Sequence, residues 1–121
     1  MFILRKIEGG RINVYEPQIL TVGSTAVTSG QALVLSSGKL VACGPDVKPT
    51  FIALADGAAN AEIYVGRVDS NQIYETDAVS GVAVGAKYKL TDKADGIIAT
   101  AASTAGAEIV ALNGATVLVR F

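Results

Sequence analysis

Two stretches of this chain repeat one alternation of apolar and polar residues around a glycine turn. A period of two leaves little room for any element but the β-strand. The first stretch runs Ser29-Gly30-Gln31-Ala32-Leu33-Val34-Leu35, turns at Ser36-Ser37-Gly38 and returns as Lys39-Leu40-Val41-Ala42-Cys43. The second runs Val84-Gly85-Ala86-Lys87-Tyr88-Lys89-Leu90, turns over 92–96 and returns as Ile97-Ile98-Ala99-Thr100. Each opens on a glycine, alternates up to a leucine, turns and alternates back, which is the sequence pattern of a β-hairpin.

Further strands are expected over 2–7, 11–15, 18–22, 50–55, 62–68, 72–76, 108–112 and 116–121, with Glu8-Gly9-Gly10 as a turn. Asn113-Gly114 between two alternating apolar runs is a strong short hairpin signal. Resemblances recur in order after the two hairpins, Ala53-Leu54 with Ala111-Leu112 and Val65-Gly66-Arg67-Val68 with Leu118-Val119-Arg120-Phe121. This order admits an internal pseudo-repeat of 29–68 and 84–121. No segment carries a helical stripe; Ala99–Ala107 is alanine-rich but lacks that spacing and contains Gly106. The expected fold is all-β, a compact β-barrel or β-sandwich of short antiparallel hairpins. Residues 1–25 are expected to form an extended N-terminal arm or strand segment and 26–121 a single domain.

Half of the 121 residues are hydrophobic but only 6% are aromatic, so the apolar surface is mostly Ala, Val, Ile and Leu. Such a composition hints at apolar subunit interfaces, because a small domain has limited interior. No apolar run approaches the roughly 18 residues that a membrane helix needs. Ten basic and eleven acidic residues are dispersed, with Arg5-Lys6 the only adjacent basic pair, so no nucleic-acid partner and no membrane partner are expected. Met1-Phe2-Ile3-Leu4-Arg5 places its charge after a very short apolar run, the reverse of a secretory leader. A single cysteine, Cys43, excludes an internal disulfide and is expected as a small buried hydrophobe.

The chain has no histidine, which removes the commonest general base and the commonest metal ligand. Asp69, Asn71, Glu75 and Asp77 could offer oxygen ligands to a cation, but their spacing lacks the glycine and closing glutamate of a calcium loop. Asp92 and Asp95 before Gly96 suit a turn by their backbone preferences. No cofactor, metal or enzymatic activity is expected. Thr91-Asp92-Lys93-Ala94 resembles the hairpin tip of lipoyl domains, where the lysine carries the cofactor, but the likeness covers four residues and Asp95-Gly96 prolongs the turn. A carbohydrate-binding module is a further alternative. Its aromatic platform would have to come from Tyr15, Tyr64, Tyr74 and Tyr88, of which Tyr64 and Tyr74 could share a face.

Ala26-Val27-Thr28-Ser29-Gly30-Gln31, the return Lys39-Leu40-Val41-Ala42, the later Val84-Gly85-Ala86-Lys87-Tyr88 and Gly96-Ile97-Ile98-Ala99-Thr100, and the closing Ala115–Phe121 strand follow a familiar order. Together they resemble the capsid cement, or decoration, proteins of tailed phages and prophages. The likeness covers 26–55 and 84–121; Ala86 stands where that family often has an acidic residue, and 56–80 matches nothing in it. The resemblance implies a virion structural protein, made in the host cytoplasm, on the outside of the expanded head. Its partners would be the major capsid protein and further copies of itself, as a trimer on the shell. Phe2, Ile3, Leu4, Arg5 and Lys6 are then the expected contact residues with the shell or a neighbouring protomer. A tail or baseplate component is the closest alternative role.

Overall fold

A computed structural model describes residues 1–8 and 17–121. The expected strand over 11–15, the glycines of the turn before it and Tyr15 lie outside the described residues. The strands are β1 (Ile3–Ile7), β2 (Pro17–Thr21), β3 (Ala32–Ser36), β4 (Lys39–Ala42), β5 (Phe51–Ala53), β6 (Glu62–Arg67), β7 (Gln72–Asp77), β8 (Lys87–Leu90), β9 (Ile97–Ala102), β10 (Ala107–Asn113) and β11 (Thr116–Arg120). There is no helix among the described residues.

The strands form two antiparallel sheets packed together as a β-sandwich. One has the order β1-β7-β11-β10-β8-β9 and the other β2-β6-β5-β3-β4. The second sheet curls until its edge strands meet, for Val22 bridges Leu40 in parallel and the Gly23 N–H donates to the Leu40 carbonyl at 2.9 Å. Inside the curl lie Val22, Val27, Leu33, Leu40, Phe51, Ala53, Ile63 and Val65. A larger core holds Tyr74, Leu90, Ile109, Val117 and Val119 of the first sheet together with Ala32 and Ile52 of the second. Strand β5 therefore has both faces covered, which is why Phe51-Ile52-Ala53 is apolar throughout instead of alternating.

Both early turn assignments rest on backbone geometry. Ser37 and Gly38 both have positive φ, 50° and 78°, as the two-residue I′ turn between β3 and β4 demands. The last hairpin turns one residue later than the Asn113-Gly114 signal implies. Asn113 pairs with Thr116, and Gly114 at φ 64° leads the loop Gly114-Ala115, as a II′ turn requires.

The same order of pairing occurs twice, as β2-β6-β5-β3-β4 and as β7-β11-β10-β8-β9. Three backbone hydrogen bonds recur with it. Gln31 N–H donates to Thr28 O and Ala86 N–H to Ala83 O, both at 3.2 Å. Gly30 donates to Ala53 and Gly85 to Ile109 at 2.7 and 2.8 Å, and the return bonds Ala53 to Gln31 and Ile109 to Ala86 measure 2.9 and 3.0 Å. Gly30 and Gly85 occupy φ 80° and 87°, the third position of a type II turn. Ala53 thus corresponds to Ile109, not to Ala111, and the recurring unit begins a strand earlier than 29 or 84.

Of residues 1–25, the described segments 3–7 and 17–21 are sheet strands, so the strand part of the expectation is met and an extended arm is not seen among them. Strand β1 is the edge of the first sheet, paired with β7, and β2 pairs with β6 along its whole length. The apolar side chains at the start of the chain account for this: Phe2 is buried and Leu4 packs against the large core.

Candidate functional site

The five residues expected at a contact surface separate into two groups. Phe2 points inward, 2% exposed, with its ring 5.1 Å from that of Phe121 in an edge-to-face arrangement and its N–H on the Gly30 carbonyl. Leu4 is half-buried against the same core. Ile3, Arg5 and Lys6 are exposed. The pairing of β1 with β7 slips between Leu4 and Lys6, so Arg5 sits on an irregularity of the kind that discourages edge-to-edge pairing.

Ile3 belongs to a larger apolar surface. Ile19 and Tyr64 are cross-strand partners on β2 and β6, 54% and 55% exposed, where a core residue would be under 10%. Leu54 adjoins them, its N–H donating to the Tyr64 carbonyl at 3.0 Å. Leu54 also lines a groove of about 260 Å³ together with Met1, Ile3, Leu4 and Ile52. The row Ile19, Tyr64, Leu54, Ile3 thus runs across both sheets, with Arg5 and Lys6 on the strand that ends it. Alternation along each strand marks Ile19 and Tyr64 as outward-facing, but only the pairing of β2 with β6 brings them together. Isolated apolar residues are ordinary on a surface; a contiguous row is what marks an interaction site.

No family model and no curated protein matches the chain.

Glu75 and Arg5 pair across β7 and β1. Glu75 accepts from Arg5 Nε and Nη2 at 3.1 and 2.8 Å, and Asn113 Nδ2 reaches its other oxygen at 3.4 Å. The Arg5 guanidinium, with Thr116 and Asn113, holds the Glu75 carboxyl below its ordinary range. A lowered carboxylate pKa stabilises the fold fully above the ordinary carboxylate range, and that contribution is lost as pH falls through the lowered value. Arg5→Gln is expected to return the Glu75 titration toward the ordinary range, as read by NMR of its side-chain carboxyl.

Glu75, Asp77, Asp69 and Asn71 do not assemble a cation site: among the described residues no three of Cys, Asp and Glu come together as metal ligands. Asp95 is held in its turn by Thr91, whose hydroxyl donates to Oδ1 at 2.6 Å. Lys93 is exposed, but its carbonyl accepts from Gln31 Nε2 at 2.6 Å, and the next residue, Ala94, is fully buried. The lysine therefore heads a turn tied to the core. Tyr64 and Tyr74 do not share a face, since Tyr74 is buried, with its hydroxyl donating to Gln72 Oε1 at 2.6 Å.

Cys43 is 1% exposed, and its Sγ lies 3.1 Å from the Val47 carbonyl. Burial pushes the thiol up to about 11. The thiolate is the reactive form, so the folded chain is expected to resist thiol-exchange reagents at mildly alkaline pH and to react fully once denatured. Rapid reaction of the folded protein would contradict this placement.

Proposed function

We propose that this chain is a non-enzymatic structural protein that decorates the outside of an expanded tailed-phage head. It would bind where major capsid protein subunits meet and assemble there as a trimer. The observation that carries the reading furthest is the exposed row Ile19, Tyr64, Leu54, Ile3, joined to the resemblance over 26–55 and 84–121. A contiguous apolar row on a small all-β domain is a surface that a protein partner would cover. Exposed Arg5 and Lys6 beside it would orient the contact. Phe2 supports this surface from beneath, which leaves Ile3, Leu4, Arg5 and Lys6 as the expected contact set.

The test is co-sedimentation of the purified chain with expanded, undecorated capsids and with the unexpanded precursor. Saturable binding at a fixed ratio to the expanded shell alone is expected. The double variant Ile19→Asp, Tyr64→Asp should lower occupancy by about tenfold or more, given what two buried apolar side chains contribute. Absence of binding to either shell would refute the reading.

A further inference from the structure

The two five-stranded units differ at one end. In the first unit, the connection between β5 and β6 (residues 54–61) folds back across the curled sheet. Val27 and Gly57 exchange two hydrogen bonds there, at 2.9 and 3.0 Å. Gly57 is packed so closely that a Cβ would stand 2.5 Å from Ile63 Cγ2 and 3.0 Å from Val22 Cγ2. This loop closes the small core, leaving Val22 and Val27 at 0% and 3% exposure.

The second unit has no such loop. Val82 is the counterpart of Val27, because the turn that follows each is the same, Thr28–Gln31 and Ala83–Ala86. The connection between β10 and β11 is only the Gly114-Ala115 turn. What remains is a groove of about 300 Å³ lined by Ala78, Val79, Val82, Leu112, Thr116 and Val117. Leu112 is 59% exposed, and Val79 and Val82 are only half-buried. Among the described residues, neither the N–H nor the C=O of Val82 makes a backbone hydrogen bond, whereas Val27 uses both. The groove therefore offers apolar side chains together with the unpaired N–H and C=O of Val82, the two components of strand addition.

We propose that this groove receives an extended segment of a second protein, which pairs antiparallel with Val82 as Gly57 pairs with Val27. The chemistry of the segment follows from the loop that fills the equivalent place. It is extended, carries glycine opposite Val82 with a short acidic residue before it and a small residue after it, as Asp56 and Ala58 flank Gly57, and lays one apolar side chain on Leu112. The inference stands independently of the head-decoration reading, since any protein with such a segment would serve.

The probe is the capped peptide Leu-Ala-Asp-Gly-Ala-Ala-Asn-Ala, the sequence of residues 54–61, titrated into the full isotope-labelled chain and followed by amide NMR. Saturable shifts confined to 78–83 and 112–117 are expected. Leu112→Glu, at an already exposed position, should weaken binding by roughly tenfold or more. A second variant copies residues 56–60 in place of Gly114 and Ala115, filling the groove from within, and should no longer respond to the peptide. No shifts at high peptide concentration would overturn the proposal. So would shifts centred on Val27, or binding indifferent to both variants.

Discussion

Phe2→Ala is expected to destabilise the fold by about 3–5 kcal/mol, a large share of the roughly 5–15 kcal/mol that holds a domain of this size together. The side chain is 2% exposed and meets Phe121, whose ring in turn lies 5.5 Å from that of Tyr74. Removing it opens a void beneath the edge strand β1 and leaves Phe121 without its edge-to-face partner. Denaturant unfolding should show a lower midpoint with an unchanged slope. A loss under about 1 kcal/mol, below the usual cost of a large buried side chain, would mean that Phe2 is not seated in the core. The result also bears on the proposed head-decoration role: if that reading holds, deleting residues 1–8 should reduce capsid binding through instability, whereas Ile3→Asp tests the surface alone.

Gly106→Ala is expected to cost about 3 kcal/mol or more, at or beyond the top of the range for overpacking. A Cβ there would collide with the carbonyl oxygen of Tyr88, and it would stand 2.9 Å from the carbonyl carbon and 3.0 Å from Ser103 Oγ. A main-chain carbonyl cannot rotate aside as a side chain can, and this one lies where β8 pairs with β10 through Tyr88 and Ala107. Gly81→Ala is the matched control. Its φ of 88° disfavours a side chain, but nothing lies within 4 Å, so only conformational strain of about 1–2 kcal/mol applies. Thermal unfolding of the pair separates a steric cause from a conformational one. Equal losses would contradict the packing around Gly106.

The all-β class and most strands were legible because alternation is written residue by residue. The I′ turn was legible for the same reason, since Ser37-Gly38 carries its own backbone preference. Three features were not. Tyr74 lies in a segment whose polar neighbours, Gln72, Glu75 and Asp77, make it look like a weak strand; its burial depends on β1 and β11 flanking it. The repeat was legible as an order of motifs but not in register, because the pairing of β10 with β11 slips between Ile109 and Ala111 and the two β-connections differ in length. The surface row was invisible because its members come from β1, β2, β6 and the loop after β5, and chain distance says nothing about cross-strand distance. Within 1–25, the described segments 3–7 and 17–21 joined the sheets as strands instead of extending as an arm. A phenylalanine followed by alternating residues at the start of a chain gains more by closing a sheet edge than by waiting for a partner.

Strand β5 places Phe51 and Ala53 in one core and Ile52 in the other. Three consecutive residues thus hold the two halves in a single cooperative unit: when either core loosens, one face of β5 is bared to water and the other core loses a wall. Despite the doubled topology, a single melting transition is expected. A half-chain such as 17–68 would leave Ile52 and Ala32 uncovered and should not fold alone, so the molecule responds to stress as one body.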